Sequence, residues 1–133
     1  MKLMVCFDGS KAANHALHIA KKRAKQLGAN IFLVTSMVGS KDVSAKDYLT
    51  AEKLLQKKKS EVSAEDITCK TLLSVKNLTP GENIARIANE KGMDEVYIGI
   101  KKRSKVGKLL FGSTAQYVIL NALCPVVTVK LSL

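Results

Sequence analysis

The chain has no tryptophan, and aromatic residues make up only 5% of it, which speaks against a platform that stacks the bases of single-stranded nucleic acid. Cysteine is nearly as scarce. Cys6, Cys69 and Cys124 are odd in number, far apart and set in apolar runs, so they offer no zinc-ligand spacing and read as buried free thiols of a reducing compartment. None has the surroundings of a catalytic nucleophile. No apolar run approaches the ~20 residues that span a bilayer, and the apolar stretch within MKLMVCFDGS is far too short for a secretory core. The expectation is a cytoplasmic chain without membrane insertion. No Walker-type glycine-lysine motif is present either, which leaves rapid phosphoryl transfer poorly supported.

Negative charge is in short supply as well. Eleven Asp and Glu stand against 22 Lys and Arg, giving a net charge of +11 and a pI near 9.7, so the surface favours anionic partners: nucleotides, nucleic acid, an acidic protein or an acidic membrane surface. Charge alone does not choose among them. Hydrophobic residues at 47% and charged residues at 25% are the balance of a globular chain, and 133 residues are enough for one domain, 1–133, with a core under a single sheet.

Taken in order, Leu3 to Phe7 is a short apolar run ending in Asp8-Gly9-Ser10, a turn with Ser10 placed to cap a helix. Ala13, Leu17, Ala20, Ala24 and Leu27 then recur in steps of four and three, one face of an amphipathic helix that Gly28 stops. Ile31 to Val34 reads as a second buried strand. Gly39 to Asp47 is expected to be a surface excursion before a helix over Tyr48 to Val62, and Ile67 to Val75 a third strand. Thr79-Pro80-Gly81-Glu82 starts the next helix, with Thr79 as cap and Glu82 returning a bond to it. Ile84, Ile87 and Ala88 are its buried stripe, and Gly92 ends it. Glu95 to Gly99 is a fourth strand, Ala115 to Ala122 a helix facing the core with Ala115, Val118, Ile119 and Ala122, and Val126 to Lys130 a fifth strand. Strict alternation predicts an α/β, Rossmann-like, mostly parallel five-stranded sheet with helices on both faces. A ligand crevice then lies beyond the carboxyl ends of the strands, where their order reverses.

GIKKRSKVGKLLFGST, from Gly99 to Thr114, joins the fourth strand to the helix that follows. Its final glycine, Gly112, lets backbone approach an anion, while Ser113 and Thr114 add hydroxyl donors to the free N–H groups of a helix start. Lys101, Lys102, Arg103, Lys105 and Lys108 concentrate positive charge between the glycines. The bland alternative is a solvated connection whose Gly-Ser merely starts a helix. His15 and His18 share a helix face at i, i+3, but no carboxylate or cysteine stands near them in the sequence, and rim or surface histidines are the better reading.

The opening VCFDGS, the segment YIGIKKRSKVGKLLFGSTAQ and the closing CPVVTVK, in this order of elements, together resemble the universal stress protein family over essentially the whole chain. Members that bind ATP carry a glycine, two residues, a second glycine, nine residues, then Gly-Ser or Gly-Thr. Counting back from Gly112-Ser113 puts Gly99 at the first glycine and Lys102 at the second. Lys102 departs from the pattern: its Cβ hinders close backbone approach, while its ammonium can replace backbone donors with a charge aimed at phosphate. The resemblance implies a cytoplasmic stress-response or signalling protein that binds an adenine nucleotide, ATP with or without a divalent metal, and acts through nucleotide- and partner-controlled conformation. It also places Asp8 at the adenine and ribose end, where an Asx turn is its structural alternative, puts Ser36 in the adenine pocket, and implies a homodimer through Val126 to Lys130. The competing readings are an interaction module without nucleotide, for which Lys102 speaks, and a slow ATP hydrolase.

Overall fold

The computed structural model of the chain describes residues 1–39, 44–101 and 112–131. Along them strand and helix alternate: β1 (Lys2–Cys6), α1 (Lys11–Leu27), β2 (Asn30–Val38), α2 (Ala45–Ser63), β3 (Cys69–Lys76), α3 (Pro80–Glu90), β4 (Glu95–Ile100), α4 (Ser113–Asn121) and β5 (Val126–Lys130). The strands form one sheet in the order β3-β2-β1-β4-β5. Every neighbouring pair is parallel, so the expected Rossmann-like α/β sheet is present and is parallel throughout.

Its central strands are buried on both faces, which is why they read as continuous apolar runs and not as alternation. On one face Ala13, Ala16 and Leu17 of α1 and Leu55 and Val62 of α2 pack on Leu3, Val5, Ile31 and Leu33. On the other, Ile84, Ile87 and Ala88 of α3 and Val118 of α4 pack on Met4, Val34 and Val96. Alternate residues of β1 thus serve two cores.

Local signals explain most helix ends. Ser10 Oγ accepts from the Ala13 N–H at 3.1 Å, and Gly28 closes α1 with φ +64° in the left-handed region. The start of α3 differs in detail from a capping box. Thr79 Oγ1 accepts from the Glu82 N–H at 3.3 Å, but the Glu82 carboxylate takes the Thr79 hydroxyl proton at 2.9 Å and not the cap's backbone N–H. α2 begins at Ala45, three residues before the expected Tyr48, because Ser44 Oγ accepts from the Asp47 N–H at 3.1 Å. β2 runs four residues past the expected Val34, since Thr35 to Val38 pair with Leu73 to Lys76 of β3. Two residues of the expected apolar stripes are open to solvent. Leu27 lies on the last turn of α1, at the strands' amino ends, and Ile119 follows the buried Val118 on α4.

One close approach fixes α1 against β4. A Cβ on Gly99 would overlap the Ala12 carbonyl, so the missing side chain is what lets the first turn of α1 lie on the strand. Further down the helix, Arg23 meets Glu95 at 3.4 Å, and Tyr97 Oη donates to the same carboxylate at 3.0 Å. A second tie joins α1 to the α2–β3 turn, where Glu65 takes Lys21 at 2.7 Å and Lys25 at 2.8 Å.

Gly99→Ala should lower stability by about 1–3 kcal/mol, the usual cost of overpacking, as read by urea denaturation; an unchanged midpoint would show that α1 is free to shift. Hydrogen bonds from Lys21 and then Lys25 hold the Glu65 carboxyl down at about 2, against an ordinary 4.5. Its folded value is the lower one, so its contribution is complete above pH 4.5 and is lost as pH falls toward 2. Glu65→Gln should therefore flatten the dependence of stability on pH across that window, modestly, because the pair is solvated.

Candidate functional site

A parallel sheet wound outward in two directions leaves a gap between the first strands of each winding. Here β1 leads through α1 toward β2, and its other neighbour, β4, leads through α4 toward β5. A cavity of about 480 Å³ opens at that reversal, and Asp8, Ser36, Gly99, Gly112, Ser113 and Thr114 all line it. Six of the seven residues singled out from the sequence are thus brought together. The seventh, Lys102, lies outside the described residues, as do Arg103, Lys105 and Lys108.

Each wall has its own local cause. Asp8 leaves β1 and its Oδ1 accepts from the Ser10 N–H at 2.9 Å, so the Asx turn is present; Gly9 at φ +83° completes the bend into α1. Ser36 belongs to β2 itself and not to a loop after it, because β3 pairs with the strand's whole length. Gly112 is the N-cap of α4 with extended backbone and no side-chain capping bond, so the first N–H groups of that helix lack a side-chain acceptor from their cap. Among the described residues a Cβ on Gly112 would meet nothing within 4 Å. Gly99 is the converse case, a glycine required by Ala12 behind it. At Gly81 a Cβ would stand 2.8 Å from Tyr117 Cβ and 3.2 Å from the Thr114 carbonyl, so this glycine lets the start of α3 meet the start of α4.

Cys6, on the cavity floor, is kept protonated: burial and then the Asp8 charge push its thiol up to about 12. Burial likewise raises Cys69 to about 11 and raises Cys124. All three thiols are free, as expected, although only Cys69 is fully buried. His15 is half-buried and His18 exposed. Among the described residues no group of three or more His, Cys, Asp or Glu could hold a metal ion, and no helix is long and apolar enough to cross a membrane.

Behind Ser36 lies a polar cluster that the sequence reading passed over. Asn83 of α3 is fully buried, and its Nδ2 donates to Ser36 Oγ at 2.8 Å and to Ser74 Oγ at 3.0 Å. Its Oδ1 accepts from Arg86 Nη2 at 2.7 Å, and Arg86 Nη1 donates to Glu90 at 2.8 Å. The available signal was an amide one helical turn before Ile87, on the side of α3 that the apolar stripe marks as buried. Thr35 Oγ1 donates to the Phe7 carbonyl at 2.6 Å, tying β2 to the end of β1 at the cavity rim.

The sequence profile of the universal stress protein family matches residues 1–130. A universal stress protein of Methanocaldococcus jannaschii is 29% identical over 138 residues, covering 97% of this chain and 81% of that one. Among solved structures, a universal stress protein from Archaeoglobus fulgidus superposes with a TM-score of 0.87 at 33% identity, over 98% of each chain. Another from the same organism, solved in complex with dAMP, superposes at 0.82 with 27% identity, again over 98% of each chain.

Proposed function

The chain belongs to the universal stress protein family, and from that membership we propose that it is a cytoplasmic adenine-nucleotide-binding stress or signalling protein whose output is conformation. The observation that carries this reading is the convergence of Asp8, Ser36, Gly99 and the start of α4 on one cavity at the reversal of strand order. The parts suit a nucleotide in a definite orientation. Gly112, Ser113 and Thr114 stand at the positive end of a helix and take phosphate through backbone and hydroxyl donors. Asp8 and Ser36, on the opposite rim, take ribose and base. The relative solved with dAMP supports an adenine nucleotide as the ligand class.

ATP is the nucleotide of choice here because the connection between Gly99 and Gly112 is dense in lysine, and a longer phosphate chain gains most from such charge. Lys102 belongs to this argument through its charge, which attracts phosphate where the family pattern has glycine. Regulated binding fits the lining better than turnover. Asp8 is the one carboxylate among the described lining residues and is already engaged by Ser10, while the Cys6 thiol is held protonated.

The same reading extends to assembly. β5 forms one edge of the sheet with Val126, Val127 and Thr128 half-buried, and β4 is its hydrogen-bonding partner along one side. A short, β-branched edge strand is satisfied by pairing with its copy around a two-fold axis.

Gly112→Val should fold normally, since no described residue lies within 4 Å of the added Cβ, yet lose ATP affinity roughly ten- to a hundredfold, the worth of one hydrogen bond to a charged group. Calorimetric titration giving the native affinity for a folded Gly112→Val protein would remove the phosphate site from its place at α4. Pro125 and Leu131 turn their ladder groups to β4, so by alternation the Thr128 N–H faces the free edge; Thr128→Pro deletes that edge donor and should move the light-scattering mass toward that of one chain. A native protein that scatters as a monomer at tens of micromolar would exclude the strand-paired dimer.

A further inference from the structure

β3 is the other edge of the sheet, with β2 as its one neighbour among the described strands. The Ile31 N–H donates to the Thr68 carbonyl at 2.9 Å, and the Gly39 N–H to the Lys76 carbonyl at 2.7 Å. A residue of a parallel ladder turns its N–H and C=O to the same neighbour, and the next residue turns them the other way. Lys70, Leu72, Ser74 and Lys76 therefore serve β2, while Cys69, Thr71, Leu73 and Val75 offer their backbone groups to the open side. Over its eight residues the strand has no proline, no glycine and no break in register, and the guards it carries are lysines.

The two faces of this strand differ. On the α3 side Lys70 and Lys76 are exposed, Leu72 is half-buried, and the buried Ser74 is taken by Asn83. Lys70 Nζ lies 5.8 Å from the centre of the Phe32 ring and Lys2 Nζ 5.9 Å from it, so two ammonium groups stand over one half-buried ring beside the edge. On the α2 side are Thr71, Leu73 and Val75, and Gln56 links Thr71 Oγ1, at 3.4 Å, to the Glu52 carboxylate, at 3.2 Å. We propose that the β3 edge is a docking site for an extended acidic segment of another protein, which adds one more strand with its acidic side chains on the α3 side and its apolar ones on the α2 side. Carboxylates on the α3 side meet Lys70 and Lys76; on the α2 side they would meet Glu52. A second copy of this chain is disfavoured by the same lysines, which pairing of two β3 edges would bring against one another. β5 has one lysine, at its last residue, and its edge is the one left to a copy.

The probe is a fluorescent, capped octapeptide of alternating Glu and Val, and its anisotropy reads binding to the native protein. Binding should be saturable and should weaken as salt rises, and an octapeptide of alternating Lys and Val should not bind. The acidic octapeptide N-methylated throughout keeps every charge but has no N–H to give, and should bind at least about tenfold more weakly. Thr71→Pro deletes a donor on the open side, where proline is tolerated, and should weaken the unmodified peptide by about the same factor. Thr128→Pro, on the β5 edge, should leave its affinity unchanged. Lys70→Glu combined with Lys76→Glu should abolish binding; this variant and the N-methylated peptide carry the test if Thr71→Pro does not fold by circular dichroism. An acidic octapeptide that does not bind overturns the proposal. So does one that binds equally well when N-methylated, because charge alone then suffices, and so does one released by Thr128→Pro and not by Thr71→Pro, because it then sits on β5.

Discussion

A parallel sheet needs a crossover for every strand pair, and each crossover covers the strands that it joins. Where the winding changes direction the connections that leave the two neighbouring strands turn to opposite faces of the sheet, and the carboxyl ends between them are left open. In this chain that place is β1 beside β4, registered from Leu3 opposite Glu95 to Val5 opposite Tyr97. Asp8 and Gly99, ninety-one residues apart by their numbers, become neighbours of one cavity for this reason alone. The site is a consequence of strand order before it is a consequence of any side chain.

What the side chains then decide is how closely the walls approach. Gly99 admits the first turn of α1, and Gly81 admits the first turn of α4 to α3. Both are glycines of packing, and both set the position of lining residues: Ala12 and Ala13 in the first case, Thr114 in the second. Gly112 meets no described residue in this way. Three glycines of one region thus answer to different neighbours, two to the protein's own backbone and one to the cavity. Stability and binding should separate cleanly along that line.

The alternation of strand and helix, the two-sided burial of β1 and the capping residues Ser10, Gly28 and Thr79 were legible because each is a local signal with a local cause. What escaped the sequence was decided by partners distant in the chain. Thr35 and Ser36 do not look like buried strand, yet β3 pairs with them to the end, and Ser36 enters the wall as part of β2. Ile119 looked like core because periodicity reports a face, whereas its exposure beside the buried Val118 depends on what the fold brings against that face. Asn83 was hidden in a helix correctly placed, its importance lying in what Ser36 and Ser74 present from two other strands. Gly99 was read as a phosphate glycine, and its tightest constraint is Ala12 behind it.

Charge and hydrogen-bond polarity divide the work of recognition at such a site. A net charge of +11 raises the local concentration of every nucleotide alike, and an electrostatic field cannot tell one triphosphate from another. The start of α4 has the same limit, since backbone N–H groups bond phosphate oxygens whatever base stands at the far end. Selectivity must therefore come from the neutral end, where no charge dominates and a donor facing a donor is costly. A guanidinium can only donate, so Arg86 fixes which way the Asn83 amide behind that wall is turned. Glu90, Arg86, Asn83 and Ser36 form one hydrogen-bonded series from solvent to the cavity wall, in which the guanidinium fixes the Asn83 amide and its nitrogen is shared by Ser36 and Ser74.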